Sequence, residues 1–300
     1  MGTALLRRYV LVGPIGRGGV SQVYQAVDIT EPRPLAIKLL EPTHADNPRA
    51  REKIRREAVI AQRLHHPSVP KVYDFGDAPL PDGTVSPYLS MELLVGVALS
   101  GKLAGGPLPW PDALRIAATA ADVLAVAHRR GVVHRDLTPG NIMLTQDGTK
   151  VIDFGLACPV ESAPPAATAE DVQALGAVLY EMLTGHSPYL GGTPRAFLGA
   201  TRVGSAPPAP VLLVPGLPRE VAEICRGCLA KQPGDRPDSR SVSLTLWSVL
   251  DQLGPVPLPV PAAVPRYAPD NVLLGRQAGL PALGLEPRNA FSALGARRPS

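Results

Sequence analysis

The chain changes its hydrophobic period near residue 90, and this limits the fold more than any other feature. Between Tyr9 and Tyr88 apolar and polar residues mostly alternate in short runs, "YVLVGPIG" (9–16), "SQVYQAVD" (21–28), "PLAIKLL" (34–40) and "VPKVYDFG" (69–76), with turn residues between them. Alternation places every second side chain on one sheet face, so these runs read as strands. One helix interrupts them at about 47–64, where Pro48 suits a first turn and Ile54, Ala58 and Ala61 line one side. After "YLSMELLVG" (88–96) helices dominate, at 110–131 from Pro111 to Gly131, then at 170–185, 218–231 and 239–253. The exception is "NIMLTQDGTKVIDFG" (141–155), two short strands around an Asp147-Gly148 turn.

Composition removes several function classes. With 45% apolar and 19% charged residues in 300, a sizeable core can form in one large domain or two smaller ones. The net charge of +4 is spread rather than massed beside aromatics, which argues against nucleic acid. No apolar run is long enough to span a bilayer and the N-terminus has no signal core, so a cytoplasmic protein is expected. Cys158, Cys225 and Cys228 form no even framework. Cys225 and Cys228 sit in a helical stretch without a second pair, so buried thiols are expected rather than a zinc or redox site. Residues 253–300, rich in proline, alanine and glycine, read as a flexible tail that could recruit a partner protein.

Several separated stretches carry possible chemistry. "IGRGGVSQVY" (15–24) lies between two strands, where Gly16 and Gly18 would let backbone amides approach phosphate oxygens, although such a hairpin also serves as a plain tight turn. A third glycine would be expected where Ser21 stands, which makes for a bulkier loop tip. Lys38 ends a strand, and Glu57 on the following helix could hold it; otherwise both are solvated surface charges. In "VVHRDLTPGN" (132–141) Asp136 could take a proton from a hydroxyl, while Asn141 and Asp153 offer oxygen atoms to Mg²⁺. Each of these could singly be a turn former or a cap. Their order, and the element each falls in, makes coincidence a poor account.

In these motifs the chain resembles the eukaryotic-like serine/threonine protein kinases of bacteria over residues 9 to about 250. The resemblance implies an α+β, two-lobed fold: a small antiparallel sheet with one regulatory helix over 9–94, and a mainly helical lobe over 95–252. It also implies ATP and Mg²⁺ in the cleft and a protein substrate. By the same resemblance Ile15, Val23 and Ala36 would cover the adenine and Met143 support it from below. Met91 would be the gatekeeper and Glu92 to Leu94 the hinge. Asp171 would hold the backbone around His134 and Arg135, Arg236 would be the arginine of a late motif, and His65 and His66 would be structural.

Two departures from the family pattern matter. Thr138 stands two residues after Asp136, where family members carry a lysine that neutralises the γ-phosphate. Asp153 and Asp171 are eighteen residues apart, about half the family's usual interval, so a shortened activation segment is expected, with Thr168 a weak candidate phosphosite and Arg236 left to Glu161 or Glu170. The leading expectation is an ATP-dependent protein kinase. The alternatives are a pseudokinase or nucleotide-binding scaffold, and a small-molecule phosphotransferase.

Overall fold

The computed structural model describes residues 4–154, 157–159, 166–189 and 210–253. The tail expected from residue 253 lies outside them apart from its first residue, as does Glu161.

Six antiparallel strands form the first sheet in the order β1-β2-β3-β4-β6-β5: β1 (Ala4–Leu5), β2 (Tyr9–Arg17), β3 (Ser21–Asp28), β4 (Arg33–Leu40), β5 (Val72–Pro79) and β6 (Val85–Met91). One face buries Leu5, Tyr9, Leu35, Ile37 and Tyr88. The other receives helix α1 (Pro48–Arg63), whose Ala50, Ile54 and Ala58 pack with Leu40 and Leu89. Asn47 starts this helix by accepting the amides of Arg49 and Ala50 at 3.0 and 3.3 Å, and Pro48 needs no partner at the first position. Ile60 rather than Ala61 continues the buried stripe.

Beyond the 92–95 link the chain enters a second lobe. A three-stranded antiparallel sheet has the order β10-β9-β7, from β7 (Gly96–Ala98), β9 (Ile142–Thr145) and β10 (Gly148–Val151). The β9-β10 loop is Gln146-Asp147, one residue before the expected Asp147-Gly148, because Gly148 already pairs with Thr145 and takes φ 112°. Strands β8 (Val132–Val133) and β11 (Cys158–Pro159) form a short ribbon. The helices are α2 (Leu99–Leu103), α3 (Trp110–Arg129), α4 (Ala167–Thr184), α5 (Arg219–Cys228) and α6 (Ser239–Gln252). α3 runs through the core; Ala113, Ala117, Ala120, Ala121, Val123 and Leu124 are among its buried residues, small enough for α4 and α6 to approach closely. Gly131 follows it with φ 69°, which ends the helix.

Candidate active site

The site begins on β4, the central strand of the first sheet. From Leu35 onward its side chains are buried, and Lys38 is buried with them. A buried ammonium needs compensation. Glu57, turned inward from α1, accepts from Lys38 Nζ through both oxygens at 2.8 and 2.7 Å, and Asp153 accepts at 3.4 Å. Burial works against the charge on Lys38, but the Glu57 and Asp153 carboxylates outweigh it and hold the ammonium above its ordinary pKa. The contact with Asp153 spans 115 positions of sequence and joins the two lobes.

The floor is the loop after β8. Asp171, buried on α4, accepts the amides of His134 and Arg135, both at 2.7 Å, and bonds His128 Nε2 at 2.9 Å. His134 Nδ1 in turn accepts the Asp136 amide at 3.2 Å. The His134 ring lies 4.6 Å from that of Phe154, both buried. Burial holds the imidazole below its usual pKa, against the pull of Asp171, so it is neutral at pH 7. Asn141 donates through Nδ2 to the Asp136 carbonyl at 2.8 Å and carboxylate at 3.2 Å. Arg135 and Asp153 both have positive φ, 67° and 64°, a backbone state that costs energy in non-glycine residues and clusters at functional sites. Burial, then the neighbouring Asp153, pushes the Asp136 carboxyl above the ordinary range.

Most of the remaining expected residues lie on strands β2, β3, β4, β6 and β9 and in the link between lobes. Val23 pairs with Lys38 and Ala36 with Met91, so these four share adjoining strands. Ile15 and Gly16 lie on β2, with Gly16 opposite Val23. Met143 is buried on β9 against Ala98. Glu92 and Leu94 lie in the link between lobes. The tip of the glycine loop is Gly18-Gly19-Val20, closed by the Gly18 amide on the Ser21 carbonyl at 2.7 Å. Ser21 is therefore not at the tip: it opens β3, buried and paired with Leu40. Gly16, Gly18 and Gly19 have no positive φ, so space rather than handedness is what they provide. Thr138 lies just before the turn Pro139–Asn141.

The donor set suits Mg²⁺. Asn141 uses its nitrogen on Asp136, which leaves the amide oxygen for a cation, and Asp153 adds a carboxylate. Hard oxygen ligands, few in number and completed by phosphates, are the pattern this ion takes.

Other expectations meet the structure unevenly. Arg236 has no hydrogen bond to a carboxylate among the described residues; it donates to the carbonyls of Ala230, Ala169 and Lys231. Thr168 lies in the first turn of α4, which begins at Ala167, not in a linker. Cys225 and Cys228 are buried free thiols between α4 and α5. His66 accepts the Ser68 amide at 3.0 Å. Sequence reasoning missed Lys150, which donates to Glu92 at 2.7 Å, and His128, which also bonds Ser239 at 3.0 Å. Neither pair shows in a periodic pattern.

Comparison with known proteins bears on the fold and the family. The protein kinase domain family matches residues 9–169. The serine/threonine-protein kinase PknA of Mycobacterium tuberculosis is 34% identical over 260 residues, 79% of this chain and 59% of that protein. PknB of Mycobacterium leprae is 34% identical over 254 residues, 76% of this chain and 40% of that protein. The chain thus spans about half the length of these relatives. The crystal structure of the Mycobacterium tuberculosis PknI kinase domain superposes with a TM-score of 0.63 at 25% identity, covering 82% of this chain and 98% of that one. The two-lobed α+β fold is the one these similarities imply.

Proposed function

Because the chain belongs to the protein kinase domain family, we propose that it transfers the γ-phosphoryl group of Mg-ATP to serine or threonine hydroxyls of protein substrates. One observation carries the reading: Lys38 is held by Glu57 at 2.7 Å and stands 3.4 Å from Asp153, across the lobes from the loop of Asp136. An ammonium held in this way can meet phosphate oxygens without first reorganising.

In this proposal Ile15, Val23 and Ala36 cover the adenine, Met143 supports it, Met91 limits its depth, and the backbone of Glu92 to Leu94 reads its edge. The backbone of the loop at Gly16 and Gly18 covers the phosphates. Asn141 and Asp153 would hold Mg²⁺, which neutralises phosphate charge when bound. Asp136 orients the acceptor hydroxyl and takes its proton, and a carboxyl held above the ordinary range is a better base than an unperturbed one. Thr138 can donate one hydrogen bond but brings no charge. The donor is cytoplasmic ATP, which assigns this part of the chain to the cytoplasm.

The test is transfer of labelled phosphate from ATP to the chain itself and to a generic basic protein, with wild type and Asp136→Asn compared. Loss of roughly 10²–10⁴-fold in the variant is expected. Equal signals from the two proteins would remove the proposal.

A further inference from the structure

Threonine at position 138 leaves an electrostatic gap beside Asp136. Lys38, which the reading above already gives to the phosphates of the nucleotide, is anchored by Glu57 at 2.8 and 2.7 Å and by Asp153 at 3.4 Å, so a charge at residue 138 has to come from another cation. The same helix face carries a second ammonium. Lys53 precedes Glu57 by four residues, and at about 100° per residue the two side chains leave α1 only about 40° apart. Glu57 fixes where that face points, because its carboxylate meets Lys38 inside the crevice.

Lys53 is half-buried, while its neighbours Glu52, Arg55 and Arg56 are exposed. Those three are paired: Arg56 with Glu52 at 3.5 Å, and Arg55 with Asp77 at 2.7 Å. Among the described residues Lys53 has no hydrogen-bond or ion-pair partner. A half-buried lysine that bonds no carboxylate keeps its ammonium available for an anion. Burial is the largest influence on both Glu57 and Asp136, and the charge of Lys53 opposes it at each. The charge of Lys53 is thus felt by a carboxylate on each lobe.

We propose that Lys53 supplies the positive charge that residue 138 lacks, meeting the γ-phosphoryl oxygens as the group passes to its acceptor. This rests on the phosphotransfer reading above. In the transfer, the bond from the γ-phosphorus to the β,γ-bridging oxygen breaks and its electron pair leaves on ADP. The acceptor oxygen bonds to phosphorus, and its proton passes to Asp136. Lys53 exchanges no proton; it opposes the negative charge on the oxygens in flight.

The test follows ADP formation from Mg-ATP in the 300-residue chain, with myelin basic protein as acceptor. Lys53→Met should lower kcat about tenfold, less than the hundredfold or more typical of fully enclosed donors. Its KM for ATP should stay within about twofold, because the lost contact belongs to the transition state. Lys53→Arg should retain most of the rate. Thr138→Lys should raise the rate of Lys53→Met by a larger factor than it raises that of the wild type. A wild-type kcat in Lys53→Met overturns the inference, and so does Thr138→Lys raising both backgrounds by the same factor. Should Lys53→Met melt lower, the rescue still decides, since a charge at 138 does not repair folding. A wild-type rate no higher than that of Asp136→Asn defeats the phosphotransfer reading itself, and this inference with it.

Discussion

Asp171 shows how much one buried side chain can organise. Its two oxygens take the His134 and Arg135 amides at 2.7 Å, and Asp136 follows directly in the chain. Asp171→Ala should strand two amides, each worth roughly 1–3 kcal/mol when buried and unpaired, giving a loss of about 2–5 kcal/mol in denaturant unfolding. Transfer activity should fall further than stability, because the loop that aims Asp136 loses its anchor. His134 predicts a pH dependence. Burial depresses its folded pKa, so below about pH 6.5 the unfolded chain takes up the proton first and stability declines, whereas above that pH the contribution is complete. His66, also depressed by burial, adds to the slope. His134→Phe should reduce the fall in unfolding free energy between about pH 6.5 and 5 without abolishing it; an unchanged slope would contradict the assignment. The identity of these residues could be read from the order of the motifs. The hold of Asp171 on the His134 and Arg135 backbone followed from the resemblance, whereas its bond to His128 could not be read, because positions 43 residues apart meet only after α3 and α4 pack.

At the scale of elements, α4 and α5 meet with almost no space between them. A Cβ at Gly176 would lie 2.5 Å from Cys228 Cβ, closer than such atoms can approach. Gly176→Ala should therefore destabilise by roughly 1–3 kcal/mol, and adding Cys228→Gly should recover part of that in the same unfolding measurement. The thiols serve this packing. Burial pushes Cys228 up to about 12 and Cys225 higher still, so alkylating reagents at pH 8 should label neither until the chain unfolds. The long helices were legible because their apolar spacing persists over several turns. Strand β7 and helix α2 were not, being three and five residues long, too short for any period to show. Ser21 was misplaced because a glycine-loop pattern records residue spacing and not where the hairpin closes.

The whole molecule depends on how its lobes are joined. Glu92, in the link, accepts from Lys150 of the lower lobe at 2.7 Å and from the Lys71 amide of the upper lobe at 3.1 Å. The Val151 amide adds a bond to the Ser68 carbonyl at 2.8 Å. These contacts hold the crevice with Lys38 and Asp153 facing each other, so a ligand that bridges the lobes should stabilise both together. Mg-ATP at a hundred times its Kd should add about 2.7 kcal/mol, a rise of roughly 5–10 °C in Tm for a domain of this size. Removing the metal with EDTA should reverse most of the shift, and no shift in either condition would contradict the nucleotide site.

The sequence by itself determined the period of each long element, the change from strands to helices near residue 90, and the chemical identity of Lys38, Glu57, Asp136, Asn141 and Asp153. Such properties are local, or recur at fixed spacing, so a linear string can carry them. Which charges neutralise one another was decided only by tertiary structure. Lys38 finds Glu57 and Asp153, Arg236 finds backbone carbonyls instead of a carboxylate, and Lys53 is left with no described partner. Electrostatic pairing depends on distance and on exclusion of water, and both are set by packing between segments far apart in the chain.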